Sequence, residues 1–274
     1  MAPQPIRIWH HSFTVLQKLP PYAEALAAHF RKVARPETEV VLHGMHPDTY
    51  LTNYPGNDIQ YGYFQTLHSQ QFLMGAVAAE EQGFDAFTMM TLPEPSIQDA
   101  RALVDIPVVG YGEAAATVAS LLGERIGILL FIREMVPTLD RNIARIGLSS
   151  RYHGARHVGF GFNDVLAGYS DPAPLLERFR DAARAMIADG ADVIIPGEAP
   201  LCMLLNRAGV AEVDGVPIVD SLAATIKTAE MLVDLRRITG VRANKRGYFN
   251  ATPPRERVKE LWKFYGMDRL GGQG

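Results

Sequence analysis

Thr91 and Glu198 occupy matching places in the sequence and carry groups that can hold or move a proton. Each follows a short apolar segment introduced by a Gly-x-Asp sequence, Gly83-Phe84-Asp85 before Thr91 and Gly190-Ala191-Asp192 before Glu198. A carboxylate can act as a general base, whereas a threonine hydroxyl is far too weak an acid or base at neutral pH and can only form hydrogen bonds. The two positions predict a site with one base and one hydroxyl.

The match between these two segments extends along the chain. Segment 106–110, Ile-Pro-Val-Val-Gly, resembles segment 216–220, Val-Pro-Ile-Val-Asp, and a weaker match pairs Arg7-Ile8-Trp9 with Arg125-Ile126-Gly127. Any one of these matches could recur by chance in α/β proteins. Their common order favours an internal repeat and predicts two similar α/β halves.

Short β-branched segments alternate with longer segments whose apolar residues recur every three to four positions. This alternation predicts parallel strands connected by helices, an α/β fold. The predicted strands span 6–10, 39–43, 86–90, 107–110, 125–131, 156–160, 192–196 and 217–220. The predicted helices span 21–33, 65–82, 112–122, 136–146, 174–189, 221–238 and 254–265, and Gly240 follows the sixth as a C-terminal cap would.

Two such halves bind ligands between them, outside the carboxyl ends of the strands. Glu198 follows an apolar strand and opens a helix, where backbone N–H groups gather and an anion is stabilised. Glu198 could instead be an ordinary solvated carboxylate. Its position between a strand and a helix favours a role in a ligand-binding site. The neighbours Pro93 and Gly197 are candidates for substrate binding.

Four histidines end the first two strands. His10 and His11 are candidate catalytic residues, because the ordinary imidazole pKa lies near neutrality. His43 is a candidate for substrate binding, and both His43 and His46 could equally be loop hydrogen-bonders. Adjacent residues of an extended chain point to opposite faces, so at most one of His10 and His11 would reach an ion shared with Glu198. We therefore expect no metal site.

The Gly-Tyr-Gly-Glu-Ala-Ala segment at 110–115 follows a strand and resembles a dinucleotide-binding fingerprint. The acidic residue expected at the end of the next strand is missing, since that strand ends in Leu130-Phe131. We therefore expect no nucleotide. Tyr111 and Glu113 remain candidates for substrate contact, although Glu113 could simply be a favourable charge in a first helical turn.

Segment 47–64 is too long for a simple connector and contains several aromatic residues. Long loops of this kind often act as lids, and these aromatics would suit a planar ligand, with Tyr61 a candidate for substrate contact. A contact between subunits is the alternative. We expect a homo-oligomer.

Composition excludes several classes of protein. The chain has 274 residues, 47% of them hydrophobic, and a net charge of −3, and it contains no basic run that would bind nucleic acid. The sequence shows neither an apolar stretch long enough for a membrane span nor a signal-peptide core. With Cys202 as the single cysteine, an internal disulfide is impossible. We expect a cytoplasmic protein with a small-molecule substrate.

As a set, six segments resemble the Asp/Glu racemase superfamily, and within it the hydantoin racemase branch. The resemblance extends to about residue 239 and rests on segments 6–9, 83–86 with 94–95, 109–115, 122–127, 190–192 with 196–197, and 216–220. It implies two pseudo-symmetric Rossmann-like (flavodoxin-like) parallel-sheet domains with an interdomain cleft, and no cofactor. We expect residues 1–112 plus 219–274 to form one lobe and residues 113–218 the other.

The sequence departs from this family where the chemistry is done. In the racemases two cysteines face each other across the cleft, and the resemblance places their positions at Thr91 and Glu198. Cys202 lies one helical turn beyond and is better interpreted as a buried apolar side chain than as a displaced catalyst. The first loop, 10–14, replaces the family's Asn-Pro-Asn-Thr-type turn, and Leu130-Phe131 replace hydroxyl residues, which predicts a more apolar cleft.

These observations give one leading hypothesis and two alternatives. In the first, Glu198 is the general base of a cofactor-independent enzyme, and Thr91, Ser12 and one first-loop histidine hold a small carboxylate or cyclic amide. The base would transfer a proton at a carbon beside a carbonyl, in an isomerase, racemase or decarboxylase type of reaction. Alternatively, Glu198 activates water to open a lactam, imide or lactone ring, or the protein binds a small molecule without catalysis.

Overall fold

The structure is a computed structural model that describes residues 4–52 and 54–270. Its strands are β1 (Ile6–Ser12), β2 (Thr38–His43), β3 (Ala86–Met90), β4 (Val108–Gly110), β5 (Ile126–Leu130), β6 (Tyr152–His157), β7 (Val193–Pro196), β8 (Glu212–Val213) and β9 (Val216–Pro217). Its helices are α1 (Pro20–Val33), α2 (Gly56–Ile59), α3 (Gly62–Glu81), α4 (Ile97–Leu103), α5 (Tyr111–Leu122), α6 (Val136–Arg145), α7 (Phe162–Gly168), α8 (Ala173–Ala188), α9 (Ala199–Arg207), α10 (Ser221–Thr239) and α11 (Arg255–Phe264).

The strands form two parallel sheets with the same internal order. The first sheet runs β2-β1-β3-β4 and the second runs β6-β5-β7. A parallel bridge between Ile194 and Ile218 places the chain after β9 beside β7, in the place that β4 takes beside β3. The predicted fold of two Rossmann-like α/β units is therefore confirmed. We call them the first unit and the second unit.

The Gly-x-Asp repeat has the same structural role in both units. The carboxylate of Asp85 accepts a hydrogen bond from the amide of Arg7 (2.9 Å), and the Asp85 amide donates to the Arg7 carbonyl (2.8 Å). Asp192 and Arg125 make the same two bonds, at 2.7 and 3.0 Å. Each Asp thus fixes the start of the central strand of its sheet. Sequence similarity between the two segments therefore reflects a shared structural requirement.

Helices cover both faces of the first sheet, which explains why its central strand is buried almost throughout. Helix α10 packs on β1, β3 and β4 of this sheet and also on α5. The Asp220 side chain caps the N-terminus of α10 by accepting from the amide of Ala223 (2.9 Å), and Gly240 ends it with φ 75°. This packing suits a C-terminal segment that returns to the first lobe, although the exact domain boundaries remain a prediction.

Some element boundaries differ from those expected. Strand β6 covers Tyr152–His157, four residues earlier than predicted, and the hairpin of β8 and β9 replaces a longer predicted strand at 217–220. Three short helices, α2, α4 and α7, were not predicted, because segments of four to seven residues show too few turns to establish a helical period. Helix α9 begins directly after Glu198, as expected, and it shapes the site described below together with α7.

Among residues 4–52 and 54–270, no helix combines the length and the apolar character needed to cross a membrane, and this includes the long helices α3 and α10.

Candidate active site

A cavity of about 60 Å³ lies where loops from both units meet beyond the carboxyl ends of the strands. The predicted pair, Thr91 and Glu198, both line it. The other lining residues from the first unit are Ser12, Phe13, Thr14, Tyr22, Tyr54, Pro55, Gly56, Ile59, Met90, Leu92 and Pro93. Those from the second unit are Phe131, Ile132, Met135, Phe162, Ala199 and Pro200.

Glu198 is the N-cap residue of α9 and is almost fully buried, with 7% of its surface exposed. Its carboxylate accepts hydrogen bonds from the backbone amides of the two residues that follow β5. The amide nitrogen of Phe131 lies 3.0 and 3.1 Å from the two carboxylate oxygens, and that of Ile132 lies 2.9 Å from Oε1. Backbone donors therefore fix the orientation of the carboxylate.

Burial and hydrogen bonding act on the Glu198 carboxyl in opposite directions. Burial raises its pKa, because a charged carboxylate loses its hydration, while the amides of Phe131 and Ile132 lower the pKa by stabilising the charged form. Burial has the larger effect, and the pKa rises from 4.5 to about 8. The net rise places the carboxyl close to the pH range in which it can both release and accept a proton.

Hydroxyl groups occupy the side of the cavity formed by the first unit. Thr91 follows β3 directly and is 6% exposed. The Oγ of Ser12, at the end of β1, lies 2.7 Å from the Oγ1 of Thr14 and accepts a hydrogen bond from the Thr14 amide (3.1 Å). These hydroxyls are neutral at ordinary pH and can donate hydrogen bonds to a substrate oxygen.

Part of the segment predicted as a lid lines the cavity, but Tyr61 does not. The ring of Tyr54 stacks on Phe162 of α7, with centroids 4.7 Å apart and planes inclined by 13°. Tyr54 belongs to the first unit and Phe162 to the second, so the stack connects the two units beside the cavity. Tyr61 is 56% exposed and lies outside the cavity lining.

The first-strand histidines lie inside the first unit and away from the cavity. His10 packs against Phe30 of α1, and His11 accepts a hydrogen bond from the indole of Trp9 (3.3 Å) on the other face of the sheet. Burial lowers the pKa of each to about 3, which keeps both rings neutral. This placement corrects the expectation that one of them borders the cleft, because helices cover both faces of β1.

Four other predicted contacts also lie outside the cavity lining. The ring of His43 stacks on Trp9 at 3.4 Å, and the Tyr111 hydroxyl donates to the Pro196 carbonyl (3.3 Å). Glu113 is paired with arginines, and Gly197 allows close approach of the backbone to Leu130. In the structure their side chains or backbone contact other protein groups and not the cavity. Pro93, by contrast, lines the cavity as expected.

Cys202 is buried at 1% exposure in α9 and is not part of the lining. Burial, together with the nearby Asp220 carboxylate, raises the pKa of the Cys202 thiol to about 12. The thiol stays protonated at neutral pH, and Cys202 cannot replace a racemase cysteine. Among the described residues, no three His, Cys, Asp or Glu side chains lie close enough together to bind a metal ion.

The cavity lining contains no lysine, arginine or histidine among the described residues. Several apolar residues of the lining were not predicted from the sequence. They are Phe162, on the unpredicted helix α7, and also Met135 and Ile132. Only the prediction of an apolar cleft at Leu130-Phe131 pointed toward them. Any bound molecule therefore meets Glu198, several hydroxyls and apolar walls.

A larger groove of about 830 Å³ lies between α1 and the helices α7 and α9, and it shares Tyr22 with the cavity. It includes neither Thr91 nor Glu198, and its cationic side chains, Lys18, Lys32 and Arg207, are exposed. The two predicted site residues thus line the smaller cavity and not this groove.

Proteins of known structure share this arrangement of two units. Allantoin racemase from Klebsiella pneumoniae superimposes with a TM-score of 0.72 at 23% identity, covering 91% of this chain and 94% of that one. Allantoin racemase from Pseudomonas fluorescens gives 0.67 at 26% identity, covering 90% and 97%. A mutant of arylmalonate decarboxylase gives 0.55 at 17% identity, covering 90% and 99%. The fold is that of these enzymes.

A family model described as Asp/Glu/Hydantoin racemase matches residues 22–229, and the chain belongs to this family. Hydantoin racemase from Pseudomonas sp. (strain NS671) is 32% identical over 168 residues, which cover 58% of this chain and 63% of that protein. Hydantoin racemase from Rhizobium meliloti is 29% identical over 157 residues, 56% of this chain and 62% of that protein. The chain thus matches less than two thirds of the length of these relatives. The predicted membership of a racemase superfamily is confirmed.

Proposed function

We propose that the chain is a cofactor-independent enzyme that transfers a proton at the carbon beside a carbonyl of a small cyclic amide, with Glu198 as general base. The observation that carries this proposal is a single buried carboxylate, held by the amides of Phe131 and Ile132, in a cavity between two racemase-type units. It rests also on family membership and on the names of the relatives, which are hydantoin racemases.

The charge of the cavity favours a neutral substrate. A free amino acid or dicarboxylate brings at least one carboxylate, which needs a cation or several hydrogen-bond donors when it is buried. The lining offers no cationic side chain among the described residues, and Glu198 already occupies the amides of Phe131 and Ile132. A hydantoin-type ring is uncharged and has carbonyl oxygens that the hydroxyls of Thr91 and Ser12 can bind. The proposed substrate is therefore a cyclic amide with an apolar substituent.

The proposed reaction begins when the Glu198 carboxylate removes the proton from the ring carbon beside the carbonyl. The electron pair left behind moves onto the carbonyl oxygen and gives an enolate, which the Thr91 and Ser12 hydroxyls stabilise by hydrogen bonding. The carboxyl of Glu198 then returns a proton to the carbon. Because a buried carboxyl with a pKa of about 8 is a stronger base than an ordinary one, it is better matched to a weakly acidic C–H group.

The cavity is too small for a substituted ring in the conformation observed, since about 60 Å³ accommodates only a few water-sized groups. Substrate binding therefore requires movement of the cover formed by Tyr54 and its neighbours Pro55 and Gly56. Closure of the Tyr54–Phe162 stack would then exclude water from the enolate, as lids do in other enzymes.

The test is exchange of the C5 proton of L-5-benzylhydantoin in D₂O, followed by NMR, with optical rotation measured in parallel. The wild-type protein is expected to exchange this proton well above the spontaneous rate, and Glu198→Gln to lose about 10²- to 10⁴-fold of that rate. Gln keeps an oxygen acceptor for the amides of Phe131 and Ile132, so the fold is retained. Glu212→Gln, a change at an exposed carboxylate on β8, is the matched control.

Three outcomes distinguish the hypotheses. Exchange with inversion identifies a racemase, and exchange without inversion identifies a carboxyl that returns the proton to the same face. Appearance of the ring-opened N-carbamoyl product, dependent on Glu198, identifies the hydrolase instead. Binding without exchange or ring opening, equal in both forms, refutes the catalytic proposal.

A further inference from the structure

The segment that carries Thr91 into the cavity has an unusual backbone. Two of its residues, Glu94 and Ser96, adopt left-handed conformations with φ of 46° and 59°, which residues with side chains seldom occupy. Pro93 of the same segment lines the cavity beside Thr91. Contacts elsewhere in the molecule must stabilise this conformation.

Helix α6 of the second unit supplies two such contacts. The side-chain amide of Asn142 donates to the Pro93 carbonyl (2.9 Å), and the Arg145 guanidinium lies 3.0 Å from the carboxylate of Glu94. The Glu94 side chain is only 1% exposed, and that of Arg145 is 26% exposed. The ion pair is therefore largely removed from solvent, where it is less screened than a surface pair.

Glu94 is held on its other side by the first helical turn of α5. Its Oε1 accepts from the amide of Glu113 (2.7 Å), and Arg145 also contacts the Glu113 carboxylate at 3.3 Å. Gly110 leaves room for this arrangement, because a Cβ there would come within 2.2 Å of the Glu94 oxygen. Arg101 completes the group by pairing with Glu113 at 3.1 Å. Two arginines and two glutamates thus form a connected network at the boundary between the units.

The segment that supplies the contacts of Asn142 and Arg145 also orients Glu198. Phe131 and Ile132, whose amides bind the Glu198 carboxylate, lie just before the first residue of α6, and Asn142 and Arg145 lie on that helix. The stretch from 131 to 145 therefore contacts both sides of the cavity, Glu198 through its backbone and the Thr91 segment through side chains.

We propose that Asn142 and Arg145 are positioning residues that fix the Thr91 segment relative to the Glu198 carboxylate. The catalytic part of this inference rests on the function proposed above, whereas the structural part does not. Neither residue lines the cavity. Loss of either contact would let the Thr91 segment leave its left-handed conformation and separate the hydroxyl from the base, so that turnover falls more than substrate binding does.

Two measurements test the inference independently. Hydrogen–deuterium exchange followed by mass spectrometry reports on the peptide that covers residues 90–97 in the free protein. In Arg145→Met we expect the amides of this peptide to exchange about tenfold faster than in the wild type, because the conformation they maintain is less stable. Arg141→Met, on the same helix but without an ion pair among the described residues, is the control and is expected to leave the peptide unchanged.

The second measurement is the kinetics of C5-proton exchange in L-5-benzylhydantoin. Arg145→Met is expected to lower kcat about tenfold with little change in KM, and Arg145→Lys to recover only part of the loss, because lysine lacks the planar fork that reaches Glu94 and Glu113 together. Asn142→Ser, which shortens the side chain away from Pro93, provides a milder variant if Arg145→Met unfolds.

The outcomes separate the two proposals. Unchanged amide exchange in residues 90–97 of both variants overturns the positioning role, whatever the activity. Faster amide exchange with an unaltered kcat refutes the link to catalysis. A wild-type protein that exchanges no hydantoin proton refutes the proposed function, while the amide measurement still decides whether α6 holds the Thr91 segment.

Discussion

The Oε1 atom of Glu198 lies 2.9 Å from the backbone nitrogen of Ile132, across the gap between the end of β5 and the start of α9. This contact stabilises the charged carboxylate, while burial of the same side chain favours the neutral acid. The second effect is the larger one, so the carboxyl reaches a pKa of about 8. A base of this strength would be absent if the carboxylate lay in water.

The first prediction concerns the pH dependence of proton exchange. Because Glu198 must be deprotonated to act as the proposed base and its pKa in the free protein is raised to about 8, kcat/KM is expected to rise about tenfold per pH unit below that value and to level off above it. The measurement is kcat/KM for C5-proton exchange between pH 5 and 10, with the spontaneous rate subtracted.

A 5-benzylhydantoin methylated at N3 serves as the control for that profile, since ionisation of the substrate's own N–H group then contributes nothing. A profile that levels off near pH 4 to 5 would show an ordinary carboxylate, and one that falls as the pH rises would identify Glu198 as an acid.

The fold was predictable from the sequence because its strands and long helices have clear apolar periods and because the Gly-x-Asp repeat has a physical cause. Asp85 and Asp192 each bind the backbone at the start of a central strand, so both copies retain the residue. The short helix α7 was not predictable, since seven residues starting after a glycine show no period, and Phe162 was missed with it.

The site was predictable in part. Residues next to strand ends, Thr91, Glu198 and Ser12, do line the cavity, because parallel strands bring their carboxyl ends to one edge. His10 and His11 were wrongly placed there. They lie within β1, whose two faces are both covered by helices, and the sequence does not show where a strand leaves the protein core.

A second prediction concerns the hydroxyl of Thr91. Thr91→Val keeps the shape of the side chain and removes the hydrogen bond proposed to stabilise the enolate oxygen, so kcat/KM is expected to fall about tenfold, equivalent to about 1.4 kcal/mol. Thr91→Ser keeps the hydroxyl and should retain most of the activity. The rates are compared by C5-proton exchange, and equal values for the valine and serine variants would exclude this role.

A third prediction concerns the cover of the cavity. Tyr54→Ala removes the ring that stacks on Phe162, and KM is expected to rise about fivefold, since such an aromatic pair contributes about 0.5–1.5 kcal/mol. Tyr54→Phe keeps the ring and should bind substrate nearly as well as the wild type. Tyr61→Ala, at an exposed position of the same segment, is the matched control. A larger effect at Tyr61 than at Tyr54 would contradict this assignment of the cover.

The last prediction concerns stability in acid. Burial lowers the pKa values of His10 and His11 from 6.5 to about 3, so between these limits the unfolded chain binds protons that the folded chain does not. Above pH 6.5 each histidine is neutral in both states and does not change the free energy of unfolding. As the pH falls from 6.5 toward 3, each histidine lowers the free energy of unfolding by up to about 1.4 kcal/mol per pH unit. Glu94 and Glu198 have pKa values raised from 4.5 to about 7 and about 8, so in that range the folded chain binds more protons than the unfolded chain. These two carboxyls therefore raise the free energy of unfolding as the pH falls toward 4.5.

The effect of the histidines is therefore clearest between pH 3 and 4.5, where the two raised carboxyls no longer oppose it. His10→Leu removes one titrating ring whose nitrogens have no hydrogen-bond partner among the described residues, so its free energy of unfolding should decline less steeply in this window than that of the wild type. Urea unfolding at a series of pH values measures both slopes. Parallel declines for the two proteins would show that His10 is not held neutral by burial in β1.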